Sequence, residues 1–258
     1  MIKKRINVLI TVFTLLAAGF LALIAVTPDD VLSFYYTQKR QGNLLVLMYH
    51  DISLEAPQDT KLMAVVTTGE KLTADIDALL ELDYLPISLE DYYNGKVDSG
   101  QKYFALTFDD GYMSVYDIAY PILREKQIPA AVFFNTGMEH YPAFLHYQQL
   151  QELEQSGLVK IYTHLAYHDR ATKLPLEEFI HQLESSVDFL NTYVGEKPMF
   201  MAYPYGDYNR ITYRIVREHG ILLQFAQKIR FPAEDILVRV NVPYNIDIKK
   251  LIKESPHN

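Results

Sequence analysis

The sequence predicts an α/β domain in which parallel strands are joined by helical crossovers. Short apolar runs such as Asn43–Met48, Tyr103–Phe108, Ile128–Phe134 and Met199–Ala202 alternate with stretches of helical period. Several of those runs end in titratable or polar residues: His50 and Asp51, then Asp109 and Asp110, then His164, then Tyr203 to Gly206. About 230 residues follow the N-terminal segment, enough for one well-cored domain and too few for two. Strands running in one direction bring such endings to one mouth.

The elements follow in order. Lys3, Lys4 and Arg5 precede an apolar stretch, Ile6–Val26, broken only by Asn7, Thr11, Thr14 and Gly19. Its length, about 20 residues, suits a bilayer crossing, and the basic end belongs on the cytoplasmic side. Residues 1–27 are therefore expected to be a membrane anchor, or a cleaved signal, 28–42 a polar stalk, and 43–258 the domain. Leu72, Ile76, Leu79 and Leu80 have helical spacing, Leu85–Leu89 reads as a strand, and Asp91–Gly100 reads as a polar turn. Val115, Ile118, Ile122 and Leu123 mark a helix after the Asp109 strand. Tyr147–Gln155 and Leu174–Val194 are the next helices, the second punctuated by Pro175 and Gly195. Arg210–Glu218 reads as a helix, Leu222–Ala226 and Ile236–Val242 as strands, and Asp247–Lys253 as a closing helix.

Formal charge is −8; once Lys3, Lys4 and Arg5 are set aside, 21 basic residues face 32 acidic ones, or −11. That balance excludes nucleic acid as a natural partner. The chain has no Cys, hence neither a disulfide framework nor a lipoprotein attachment site. Its 20 Tyr and no Trp fit a sugar-binding cleft and equally fit tyrosines that fill core edges.

Asp109 and Asp110 are adjacent on an extended chain, so their carboxylates point apart and take separate jobs. One suits a metal and the other suits accepting a proton from water; Asp-Asp-Gly is also a common turn. His164 and His168 share a face if the chain turns helically after its strand, and imidazole suits Zn²⁺. Together with one of the two carboxylates they give a three-ligand site with an open position. His50 beside Asp51 reads as a general acid or as a core-edge histidine. Asn135 lines the site or makes a turn, and Arg239 and Asn241 face away from Val238, Val240 and Val242, toward solvent or the site.

Thr107 Phe108 Asp109 Asp110 Gly111, then His164 and His168, then Ala202 Tyr203 Pro204 Tyr205 Gly206 resemble, in order and spacing, the first three motifs of the polysaccharide deacetylases, carbohydrate esterase family 4 (the NodB homology domain). The resemblance covers roughly residues 43–245. It implies a partly closed (β/α) barrel and one divalent metal, expected to be Zn²⁺ with other divalent transition metals as alternatives, on Asp110, His164 and His168. Asp109 would be the general base, and the backbone N–H of Tyr205 would stabilise the oxyanion. Tyr49-His50 is similar to an early motif of the poly-β-1,6-N-acetylglucosamine (intercellular adhesin) deacetylase branch, in which it supplies the catalytic acid. Tyr203, Pro204, Arg239 and Asn135 are the substrate-contact candidates.

The chain departs from the family pattern in having Ala202 where an arginine normally supports the base, which leaves Arg239 as the candidate. It also lacks the tryptophan motif and the late leucine-x-histidine motif, as the adhesin-type branch would. The implied function is metal-dependent de-N-acetylation of an extracellular N-acetylglucosamine polymer, with poly-β-1,6-N-acetylglucosamine first. Alternatives are peptidoglycan or chitin-type chains, O-acetyl ester hydrolysis, and an inactive glycan-binding module. The implied location is the cell membrane, single-pass with the domain outside, or secretion if the N-terminal segment is cleaved. Oligomeric state is not legible in the residues.

Overall fold

The computed structural model describes residues 42–254 apart from Glu196, Pro232 and Glu234. The expected membrane anchor and nearly all of the stalk lie outside the described residues. Among the described residues, no helix is long and apolar enough to cross a membrane.

The strands are β1 (Leu44–Tyr49), β2 (Asp51–Ser53), β3 (Val66–Thr68), β4 (Tyr84–Pro86), β5 (Lys102–Asp110), β6 (Ala130–Phe134), β7 (Val159–Thr163), β8 (Phe200–Ala202), β9 (Leu223–Ala226) and β10 (Ile236–Asn241). The helices are α1 (Gly69–Glu81), α2 (Leu89–Tyr93), α3 (Tyr120–Lys126), α4 (Tyr147–Gln155), α5 (Leu176–Tyr193), α6 (Arg210–Glu218) and α7 (Ile248–Glu254). All named pairings are parallel. In the main sheet the order runs β1-β10-β9-β8-β7-β6-β5-β4, and β1 also pairs with β5. That extra pairing, Leu44↔Tyr103 through Tyr49↔Phe108, closes a barrel of seven strands, with β4 extending one edge of β5. The expected partial closure corresponds to one thin seam, where β7 meets β8 through Thr163↔Met201 alone. β2 and β3 form a separate two-stranded ribbon beyond β1.

Alternation along each strand divides inside from outside. Leu44, Val46, Tyr103, Ala105, Ala131, Phe133, Tyr162, Phe200, Ala202, Phe225 and Leu237 fill the barrel. Leu45, Leu47, Phe104, Leu106, Phe108, Val132 and Ile161 face the helices, packing with Leu72, Ile76 and Leu79 of α1 and Leu150 and Leu153 of α4. The helices begin where their caps dictate. Thr68 accepts from the Lys71 N–H at the start of α1, and Asn209 with Thr212 makes a capping box on α6.

Some local expectations change. Leu80 is 40 % exposed, so it lies off the buried stripe of α1. Ser88 caps α2, which takes Leu89 from the expected strand and the first residues of the expected turn. The helix after β5 opens as a π-helical turn, Val115–Ala119, before α3. Pro121 has no N–H to give the preceding turn, and the wider turn accommodates it.

Candidate active site

Followed toward the mouth, the inward-facing positions change from apolar to polar on strand after strand. Ala105, Thr107 and Asp109 follow one another on β5, Met48 and His50 on and just after β1, and Leu237, Arg239 and Asn241 on β10. They meet in a cavity of about 250 Å³ that also includes Asp110, His164, His168, Tyr203, Tyr205, Gly206, Gln227, Ala64 and Val65. A larger, more open groove of about 470 Å³ along α6 contains none of these groups, and its size carries no chemistry.

Asp109 is 2 % exposed. Arg239 grips it bidentately, Nη1 to Oδ1 at 2.5 Å and Nη2 to Oδ2 at 2.6 Å, and also donates to Thr107 Oγ1 at 3.2 Å. Burial pushes the Asp109 carboxyl up, but Arg239 and His164 outweigh it and hold the group at about 2. Arg239 therefore occupies the supporting position that Ala202 leaves open. It is a partner of the base, and its fork is spent on Asp109 and Thr107 rather than on substrate. The side of β10 that carries it faces the barrel interior, the site-facing one of the two orientations that strand alternation allows.

Asp110 ends β5 at φ 68°, and Gly111 follows at φ 80°. A Cβ on Gly111 would sit 2.2 Å from the Phe134 ring, so both conformation and space require glycine. The turn brings Asp110 Oδ1 to 3.4 Å from His168 Nε2 and 3.7 Å from His164 Nε2. The histidines do not share a helical face, as the sequence suggested. Residues 164–168 form a bend with Leu165 at φ 66°, and their ring centroids lie 5.3 Å apart. His164 is fixed by its Nδ1–H donating to the Ala202 carbonyl at 2.8 Å, which leaves the Nε2 lone pair toward Asp110.

These residues fit a divalent metal. Donor atoms of Asp110, His164 and His168 all lie within 4.8 Å of one another. Tetrahedral ligands with bonds of about 2.0–2.1 Å stand about 3.4 Å apart, the spacing of Asp110 and His168. Asp110 Oδ1 is buried without a hydrogen-bond partner among the described residues, a position a cation would satisfy. Burial and the Asp109 charge raise the Asp110 carboxyl to about 6, while burial lowers His164 to about 3, leaving it neutral and able to ligate.

His50 lines the cavity with its Nδ1 buried and without a hydrogen-bond partner among the described residues. Asp51 does not support it: its carboxylate accepts from Ser114 at 2.6 Å, on the opposite side of the strand. Tyr205 stands at φ 59°, and its N–H has no backbone acceptor among the described residues, whereas those of Gly206 and Asp207 bond to Tyr203 and Pro204. Its ring is 48 % exposed, packs at 4.3 Å against His168 and lies 4.1 Å beneath the Arg170 guanidinium.

Of the expected substrate contacts, Tyr203 lines the cavity but turns its hydroxyl to Gln224. Pro204 is buried and outside the cavity lining. Asn135 is buried too, and donates to the His164 carbonyl at 2.5 Å, so it holds the histidine bend rather than facing the cavity. Asn241 does reach the cavity. Met48 and Gln227 went unread, although each lies two residues from an inward-facing neighbour, His50 and Phe225. Ala64 and Val65 carried no signal beyond lying in a long loop, which the structure places beside the mouth.

The polysaccharide deacetylase family profile matches residues 96–223. A Bacillus subtilis relative, YxkH, carried under the same family name, is 26 % identical over 204 residues, 74 % of this chain and 67 % of its own length. The poly-beta-1,6-N-acetyl-D-glucosamine N-deacetylase of Staphylococcus aureus (strain NCTC 8325 / PS 47) is 26 % identical over 148 residues, 52 % of this chain. The chain spans about half the length of that relative. The solved structure of IcaB from Ammonifex degensii superposes with a TM-score of 0.69 at 24 % identity, covering 84 % of this chain and 97 % of that one, and shares the fold.

Proposed function

The chain carries a polysaccharide deacetylase domain of carbohydrate esterase family 4, and from that premise we propose that its site hydrolyses the N-acetyl groups of an extracellular N-acetylglucosamine polymer, poly-β-1,6-N-acetylglucosamine first. One observation carries the reading. A buried carboxylate locked by Arg239 lies beside three groups with metal-ligand spacing, and a histidine stands in the same cavity.

Asp110, His164 and His168 would hold the ion, whose contribution when bound is to polarise the acetyl carbonyl and make water acidic. Asp109 takes the proton from the attacking water. Arg239 keeps it ionised and aimed, because a guanidinium fork fixes both oxygens. The Tyr205 N–H, which has no backbone acceptor among the described residues, stabilises the developing oxyanion. His50 donates a proton to the departing nitrogen, since an amide nitrogen leaves poorly as an anion. Acetate and a free glucosamine result.

The poly-β-1,6 substrate is supported by the Staphylococcus aureus relative and by the early Tyr49-His50 motif. Acetate release by the metal-loaded chain from β-1,6- and β-1,4-linked N-acetylglucosamine oligomers, with Asp109→Asn alongside, tests it. Release from β-1,6 chains that the substitution abolishes supports the proposal. Release mainly from β-1,4 chains redirects it to the cell wall or chitin, and failure to bind metal sinks the mechanism. We further propose that residues 1–27 anchor the domain outside the membrane. External protease that digests the domain in intact cells, with the chain resisting carbonate extraction, is the expected result.

A further inference from the structure

We propose that Asn241 accepts the acetamido N–H of the substrate and so selects amides over esters; the inference rests on the amide-hydrolysing reading above. Asn241 closes the inward-facing series of β10, its Cα paired with that of Met48, and it shares the cavity with His50, which lies just after β1. Its Nδ2 donates to the Ala64 carbonyl at 3.0 Å. That bond fixes which end of the amide is which, because a carbonyl takes only a donor. The other end, Oδ1, is buried and has no partner among the described residues. An orphaned buried acceptor is costly, and the cost is removed when a ligand brings a donor.

The acetamido group carries one donor, its N–H. With the carbonyl oxygen toward the Tyr205 N–H, the nitrogen faces the wall made by β1 and β10, which carries Asn241 beside Met48 and His50 two residues beyond Met48. This wall solves a stereochemical problem. In the tetrahedral intermediate the nitrogen bears one hydrogen and one lone pair, and departure requires the lone pair to meet the acid. A fixed acceptor for the hydrogen directs the lone pair to His50. As the C–N bond breaks, its electron pair stays on nitrogen, the proton from His50 caps the existing lone pair, and the N–H held by Asn241 is retained. An ester oxygen has no hydrogen to hold, so Asn241 contributes nothing to its departure.

The test compares the metal-loaded full chain with Asn241→Ala and Asn241→Gln. Substrates are an N-acetylglucosamine oligomer and the ester 4-methylumbelliferyl acetate. Expected is a loss of about 10- to 100-fold in kcat/KM on the oligomer for Asn241→Ala, a change of less than about threefold on the ester, and partial recovery on the oligomer by Asn241→Gln, which keeps both a donor for the Ala64 carbonyl and an acceptor oxygen. Equal losses on both substrates, or failure of both variants alike, would make Asn241 an anchor for the Ala64 loop and overturn the inference alone. Unchanged activity in Asn241→Ala also overturns it. A parent chain that cleaves the ester and no amide overturns the amide reading and this inference with it.

Discussion

Replacing Arg239 with Met should invert the way the site's acid titration bears on stability. In the parent chain Asp109 ionises at about 2 against an ordinary 3.8. At about 1.4 kcal/mol for each pH unit, that lowering contributes about 2 kcal/mol to folding. Because the folded pKa is depressed, the contribution is present above pH 3.8 and is lost as pH falls toward 2. Without the guanidinium, burial is the largest influence left on Asp109, because His164 is neutral above about pH 3, and it raises the carboxyl above the ordinary value. The variant then loses stability as pH rises through the range in which the unfolded carboxyl has ionised and the folded one has not. Its deficit should be about 2 kcal/mol near pH 4 and grow to about 3–5 kcal/mol at neutral pH, the cost of stranding a buried charge. Urea unfolding of the chelator-treated chain and Arg239→Met at pH 4, 5.5 and 7 measures this. A deficit that is flat with pH, or below about 1 kcal/mol at pH 7, refutes the electrostatic argument.

Metal affinity should follow Asp110, whose metal-free carboxyl titrates at about 6. Calorimetry with Zn²⁺ should show the apparent affinity falling about tenfold per pH unit below 6 and losing that carboxyl's dependence above it, and Asp110→Asn should remove the acid-side dependence together with most of the affinity. Asn135→Ala removes the donor to the His164 carbonyl, and should lower stability by about 1–3 kcal/mol and speed metal loss to a chelator. Gly111→Ala would drive a methyl into Phe134 at φ 80°, and thermal unfolding should report a loss of at least about 1–3 kcal/mol.

The strand-and-helix alternation was legible because each strand is an apolar run closed by turn residues, and α4 and α6 begin and end where their residue patterns say. Helix bounds blurred where capping competes with pattern, as at Ser88, and a proline turned one expected helix into a π turn with an α-helix behind it. Asp109, Asp110, His164 and His168 were legible as a group from their strand-end positions. Their geometry was not, since the bend at Leu165 rests on a left-handed residue that no periodicity announces. Arg239 was ambiguous because alternation gives two faces without saying which one closes on the barrel interior. Asn135 illustrates the reverse limit: a polar residue at a strand end looks like a contact, yet its amide is consumed in holding the neighbouring strand's backbone.

The pairing of β1 with β5 and β10 has a consequence in time as well as space. Asp109 and its guanidinium are 130 positions apart along the chain. The base is made early and its counter-ion late, and the stave that carries the counter-ion also closes the ring. A chain that ends before β10 therefore lacks closure, charge balance and the Asn241 wall all at once, and loop closure over so long a span is slow. The last strand acts as a completion signal: until it inserts, the half-made barrel presents open strand edges and a carboxylate with no cation, features that leave it exposed to proteolysis.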